Sequence, residues 1–354
     1  MTFADPTSPP RVSVLTMVHN GERFLTETIA SVLRQTFGDF EYLLVDDAST
    51  DDSSAILEEF ARQDRRIRVF RNPVNLNMSG SLNRALDLAR GIYLANLDQD
   101  DLAHPERLER QVAFLDAHPE IGVVGAQAIT IDALGKTLQP LTYPADPGLS
   151  RWIVLFGTPI LHSAALMRRA LVLQAGGYSV SQWLANDYIL MANLIRLTGI
   201  VNLQDTLVSY RRHGGQTANV FTTAQQGQVL LLIHAMLVER LSLLIPLNEI
   251  GALFGALRGN VLDEAPTLLR IADRIGEIRQ RYLAVERPES SVAAQIDTDC
   301  AKRLLRMAWT HRRIYRAASR EVLRQATCLD PGILGRSGRA GLASSSRRRA
   351  PLTE

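Results

Sequence analysis

Cysteine is nearly missing from this chain. Among 354 residues only Cys300 and Cys328 carry a thiol. Two thiols so placed make neither a disulfide framework nor a metal spacing, and a reducing compartment fits. A dominant charge is missing too. The formal net charge of +2 excludes the broad field of a nucleic-acid binder. Clean apolar runs are absent. The greasiest stretch, "VLLLIHAMLVERLSLLIPL" at 229–247, is broken by His234, Glu239, Arg240 and Pro246. A membrane span needs about 18 or more uninterrupted apolar residues, so a packed or interfacial helix is expected there. The start, "MTFADPTSPPRVSVLTMV", lacks the basic opening and apolar core of a signal peptide. No G-x-G-x-x-G follows the first apolar run and no G-x-x-x-x-G-K-[ST] occurs, so dinucleotide and P-loop fingerprints are excluded.

What is present alternates. Strands are expected at 11–18, 40–45, 67–70, 92–97 and 121–131. Helical patterns lie between them, at 22–35, at "SAILEEFARQ", at 81–90, and at 105–118 with Pro105 in its first turn. Four rounds of strand and helix predict a doubly wound, mostly parallel sheet with helices on both faces. Beyond 132 the expectations are a strand at 160–168, a helix carrying "NDYILMANLIRL", and a strand and turn at 201–215. From about 222 the pattern is almost wholly helical. Residues 301–326 read as one basic helical pattern with Leu304, Ala308, Tyr315 and Val322 on one side. The division expected is a catalytic α/β domain at 1–215, a helical region at 216–330 and a Gly/Ser/Arg-rich disordered tail at 331–354.

In such sheets ligands bind beyond the carboxyl ends of the strands. Three of those ends are polar: "HNGE", "DDASTDD" and "DQDD". The last holds Asp98, Asp100 and Asp101, a grouping that is costly unless water, a donor or a cation answers it. A hard divalent cation suits it, because Mg²⁺ or Mn²⁺ takes one or two carboxylates and completes its shell with water and substrate phosphate. The competing reading makes Asp101 the cap of the helix near Pro105. Asp46 and Asp47 have two readings as well: a turn with a helix cap, or a carboxylate accepting a base N–H from a nucleotide.

Three stretches carry a resemblance. "VSVLTMVHNGERFLTETIASVLRQTFGDFEYLLVDDASTDDS", "LDQDDLAHPERLERQ" and "LHSAALMRRALVLQAGGYSVSQWLANDYILMANL" resemble glycosyltransferase family 2, in the order of the family pattern, over about residues 11–217. The likeness is to the bacterial branch that elaborates surface polysaccharides. It implies a GT-A fold, a nucleotide-diphosphate sugar donor (UDP foremost), Mn²⁺ or Mg²⁺, and hexosyl or N-acetylhexosaminyl transfer with inversion to a glycan or lipid-linked acceptor. It also implies site residues. His19, Asn20 and Glu22 match the first nucleotide contact. Asp47, with Asp46 beside it, matches the uracil-binding carboxylate. Asp98 and Asp100 match the D-x-D motif, Asp100 as the direct metal ligand and Asp98 nearer the ribose or metal waters. Asp187 matches the catalytic base. His213 matches a histidine near the diphosphate or metal.

Departures stand beside the match. Met17 and His19 replace the family's Pro and Tyr, Asn77 replaces a Gly, and Asn186 replaces the Glu before the base. On the acceptor side the candidates are Asn186, Trp183 and His162, with core packing the alternative for the last two. Gly176 and Gly177 read as a turn. The basic helical pattern is either a solvated face, a contact with an anionic membrane, or a homodimer contact. A cytoplasmic protein, peripheral at the inner membrane face, is the localisation expected. Rival functions are a nucleotidyltransferase and a non-catalytic sugar-nucleotide binder on the same fold. Retention of Asp100 and Asp187 speaks against the binder.

Overall fold

The structure is a computed structural model that describes residues 9–216 and 222–340. The chain divides into two compact units, residues 1–222 and 223–354.

The first unit follows the alternating pattern. Its elements run β1 (Val12–Val18), α1 (Glu22–Leu33), β2 (Phe40–Asp46), α2 (Ser53–Gln63), β3 (Ile67–Arg71), α3 (Asn77–Leu88) and β4 (Tyr93–Asn96). Then come β5 (Leu102–Ala103), α4 (Arg107–Ala117), β6 (Ile121–Ile131), β7 (Thr137–Leu141), α5 (Pro147–Ile153), β8 (Leu166–Arg168), α6 (Arg169–Gln174), α7 (Asn186–Leu194) and β9 (Gly199–Arg211). The sheet order is β3-β2-β1-β4-β8-β6-β9-β5, with β7 on β6. The first four strands in that order are parallel, and Val12 stands beside Phe40 on one side and Tyr93 on the other. β1 and β2 are buried along their whole length, which explains their unbroken apolar runs.

The second half of the sheet departs from simple winding. β8 pairs antiparallel with both β4 and β6, while β9 returns parallel to β6. The strand expected over 160–168 is shorter than that. His162–Ala164 form a 3-10 turn, and only Leu166–Arg168 join the sheet. The reason is local bonding: Ala164 and Ala165 donate back to Leu161 and His162, closing a turn where a ladder would have begun. The helix expected from Pro105 begins two residues later, at Arg107.

The second unit is helical: α8 (Thr222–Leu241), α9 (Leu247–Leu257), α10 (Ala265–Glu286), α11 (Ser290–His311), α12 (Arg316–Leu329) and α13 (Ile333–Ala340). No described helix is long and apolar enough to cross a membrane. The pattern at 301–326 is two helices, not one. His311 ends the first: its carbonyl accepts from Ile314 and Tyr315, and its ring accepts the Leu262 N–H and bonds the Met307 carbonyl. Of the expected tail, residues 333–340 form a helix anchored by the buried Ile333. Residues 341–354 lie outside the described residues, as do residues 1–8 of the start.

Candidate active site

The carboxyl ends of β1, β2 and β4 carry the expected loops, and the chain is bent sharply there. Asn20 and Ala48, after β1 and β2, take positive φ of 50° and 59°, and Asn77, after β3, takes 59°. Non-glycine residues rarely adopt that region unless the surroundings fix it. Gly21 leaves room for Gln99, whose Oε1 a Cβ there would meet at 2.4 Å. Gln99 in turn accepts from the His19 N–H at 2.9 Å and donates to the His19 carbonyl at 3.2 Å. The first loop and the D-x-D loop are thereby joined.

Asp46 and Asp47 have different surroundings. Asp46 accepts from the Ser49 N–H at 2.8 Å and from the Ser54 hydroxyl, with Arg71 at 3.5 Å. Burial pushes its pKa up, but the serine donors and Arg71 outweigh that and hold it below the usual range. That carboxylate shapes the turn. Asp47 accepts from Asn72 Nδ2 at 2.7 Å and the Leu76 N–H at 2.8 Å, both at Oδ1. Its Oδ2 takes no donor among the described residues. His19 Nδ1 sits 2.9 Å from the Asp47 carbonyl, and Asn75 Nδ2 is 3.3 Å from the ring. Asn20 Oδ1 accepts from the Thr50 N–H, and Glu22 Oε2 from the Asp52 N–H. Glu22 therefore stitches α1 to the start of α2.

The three aspartates after β4 also separate. Asp101 is wholly buried and accepts the Arg211 N–H at 2.8 Å. Burial, then Asp100 and Asp98, raise its pKa well above the usual range. It does not cap α4, which has no side-chain cap bond. The Asp98 carboxylate has no hydrogen-bond or ion-pair partner among the described residues. Burial first, then Asp100 and Asp187, raise its pKa to about 7. Asp100 Oδ2 lies 2.7 Å from His213 Nε2, and the His213 ring is tilted against Phe24 at 4.9 Å. Arg211, itself buried, donates to the Asp100 carbonyl and pairs with Glu27 at 2.7 Å.

Asp187 opens α7. Its N–H donates to Asn186 Oδ1, and its Oδ1 accepts the Tyr188 N–H at 2.7 Å. Asn186 is buried and donates to Ser79 Oγ at 3.1 Å. The charge of Asp187 acts on Asp98, His162, Tyr178 and Tyr143, so these groups share one pocket of field. Trp183 is half-buried in the 3-10 turn that leads into α7.

Sequence reasoning missed the groups that hold these together. Asn96 Nδ2 donates to His162 Nε2 at 2.5 Å and to Tyr178 Oη at 2.8 Å, while its Oδ1 is buried without a protein partner. Burial lowers the His162 pKa, and the field of Asp187 only partly opposes it. Arg107 is buried beneath, bonding the carbonyls of Asn96 and Ala165. Burial lowers its pKa to about 10 although Asp101 and Asp98 oppose the change. One signal was available: a lone Asn inside the apolar "IYLANL".

Whether these residues fit a divalent cation can be judged from their chemistry. No group of three or more His, Cys, Asp or Glu side chains forms a metal cage among the described residues. A Mg²⁺- or Mn²⁺-type site needs no cage, only one or two carboxylates beside a phosphate. Asp98 and Asp100 supply those, and Asp98, whose pKa burial and the neighbouring carboxylates raise, is the kind of group a cation relieves.

The sequence model described as "Glycosyl transferase family 2" matches residues 13–173. An uncharacterized glycosyltransferase of Haemophilus influenzae is 31% identical over 252 residues, 68% of this chain and 76% of that one. The chain belongs to glycosyltransferase family 2. EpsE of Bacillus subtilis is 39% identical over 173 residues, which span 48% of this chain and 61% of that protein. Among solved structures, S. aureus TarS 1-349 in complex with UDP aligns over 93% of this chain and 92% of that one, with TM-score 0.53 and 18% identity. The Pyrobaculum calidifontis mannosyltransferase PcManGT with GDP-Man and Mn²⁺ aligns over 90% and 88%, with TM-score 0.52 and 19% identity. The fold is the GT-A fold with a helical C-terminal region.

Proposed function

We propose that the chain is an inverting, cation-dependent glycosyltransferase that moves a hexose or N-acetylhexosamine from a UDP-sugar to a hydroxyl of a glycan or lipid-linked acceptor. The observation that supports this best is the placing of Asp98 and Asp100 directly after β4, with His213 Nε2 2.7 Å from Asp100, and of Asp187 in the first turn of α7. A protein that only binds a nucleotide sugar needs no carboxylate set to accept a proton from an acceptor.

In this reading Asp47 Oδ2 accepts the uracil N3–H, and His19 lies along the base. The cation, when bound by Asp98 and Asp100, offsets the charge of the diphosphate. His213 orients Asp100 through the Nε2 contact in place of ligating directly. Asp187 accepts the proton of the acceptor hydroxyl as its oxygen attacks C1. The C1–O bond to the diphosphate breaks on the opposite face, and the nucleoside diphosphate departs with the bonding pair. Asn186, locked to Ser79, holds the first turn of α7 in place. Trp183 and His162 face the acceptor side.

The test is direct. The protein is incubated with Mn²⁺ and a panel of UDP-, GDP- and TDP-sugars, and donor hydrolysis is followed. Hydrolysis confined to UDP-sugars, abolished by EDTA and restored by Mn²⁺ or Mg²⁺, is expected. Tight UDP binding without any turnover would favour the non-catalytic reading, and full activity in EDTA would remove the cation from it.

A further inference from the structure

The helical unit presents an outward stripe that the catalytic reading does not use. On α11 the buried face holds Ile296, Cys300, Leu304, Met307 and His311. The exposed face, at helical spacing, holds Lys302, Arg306 and Trp309, and Arg313 follows in the turn. Ile314, 55% exposed, lies in the same turn, and Arg316 and Arg320 are exposed on the next helix. Trp309, 38% exposed, and Ile314 are two large apolar side chains set among exposed basic residues.

The turn that carries them is built, not loose. Buried His311 bonds Met307 on one side and Leu262 on the other, and the Tyr315 hydroxyl donates to the Leu262 and Asp263 carbonyls. Trp309 and Ile314 are thus held outward by a rigid base. The charge along this edge is one-sided. Its acids are Glu321, paired with Arg324, and Asp263 and Glu264 in the adjoining loop. Arg313, Arg316 and Arg320 have no acid partner among the described residues.

We infer that this stripe docks on an anionic phospholipid surface, with Trp309 and Ile314 entering the interface and Arg313, Arg316 and Arg320 meeting headgroup phosphates. Tryptophan and a β-branched apolar residue amid arginines form the pattern of an interfacial contact. A nucleic acid fits less well. The Arg312 guanidinium lies 3.9 Å over the Trp309 ring, so that face is closed to a stacking base. This inference does not depend on the transfer reaction and stands or falls separately from it.

The test uses the full chain in flotation with vesicles of phosphatidylcholine alone and of phosphatidylcholine with phosphatidylglycerol. Recovery is expected only with the anionic vesicles, and its loss is expected as salt is raised and the Debye length shrinks to a few ångströms. Arg313→Gln, Arg316→Gln and Arg320→Gln together should weaken partition on the order of a hundredfold. Trp309→Ala should weaken it about tenfold while leaving the salt dependence in place. Unchanged circular dichroism and an unchanged thermal unfolding midpoint establish that the variants are folded. Equal recovery with both vesicle types, no flotation of the parent, or undiminished flotation of the triple variant would overturn the inference. Retention on heparin without flotation would also overturn it, by assigning the stripe to a soluble polyanion.

Discussion

The two units bury different things. The α/β unit encloses aspartates, asparagines and two arginines along with its apolar core, and many of them gather at the carboxyl ends of its strands. In the described part of the helical unit, His311, Ser319 and Asp330 are the buried polar side chains, and the charges otherwise face outward. Burying polar groups is costly unless they are paired. A fold that does so in one place is holding chemistry there. The helical unit, by contrast, keeps its interior apolar and offers surface.

That contrast predicts which substitutions change rate and which change only stability. Asp187→Asn should give the largest effect. General-base loss typically lowers the rate by about 10²–10⁴-fold, so transfer should fall at least about a hundredfold in a folded protein with normal UDP affinity. Near-normal turnover would move the search for a base to His162 or His213.

In the helical unit the corresponding change is His311→Ala. It leaves the Leu262 N–H and Met307 carbonyl without their buried partner. A stability loss of about 2–4 kcal/mol is expected by thermal or denaturant unfolding, with UDP affinity unchanged. A change in UDP affinity without a change in stability would break the division of labour.

Asp47→Ala should weaken UDP by about 1–3 kcal/mol, the worth of a charge-assisted hydrogen bond. Calorimetry showing unchanged affinity would return Asp47 to the turn.

The smallest effect tests a carboxylate of the α/β unit that sits away from the site. Glu41 accepts from Ser13, the Arg90 N–H and the Arg68 and Arg90 guanidiniums. Burial works to raise its pKa, but these donors together hold it below the usual glutamate range. A depressed carboxylate stabilises above its unfolded pKa, and that contribution is lost as pH falls through the folded value. Glu41→Gln should therefore cost about 1–2 kcal/mol at neutral pH, with the difference shrinking below about pH 4. A difference independent of pH would assign the loss to packing.

Much of this was readable from the chain. β1, β2 and β6 begin and end within a residue of their apolar runs, because buried parallel strands are nearly continuous in Val, Leu and Ile. The acidic strand ends were visible for the same reason: charge directly after such a run has few structural uses. What was not readable depends on partners far away in sequence. Nothing local shows that Asp46 serves Ser49 and Ser54 while Asp47 keeps an oxygen open. The break at 312–315 follows from His311 reaching Leu262, a bond between residues 49 apart. His162 looked like the start of a strand, and its bonds to Asn96 and Tyr178 arise only when β4 and the 3-10 turn meet.

The central claim is a single displacement, with Asp187 drawing the proton from the nucleophile on the face opposite the departing diphosphate. The most direct measurement is proton NMR of the sugar first released from an α-linked UDP-sugar in the presence of Mn²⁺, recorded before mutarotation. The account predicts the β anomer at early times and its disappearance with Asp187→Asn. Early release of the α anomer would contradict it.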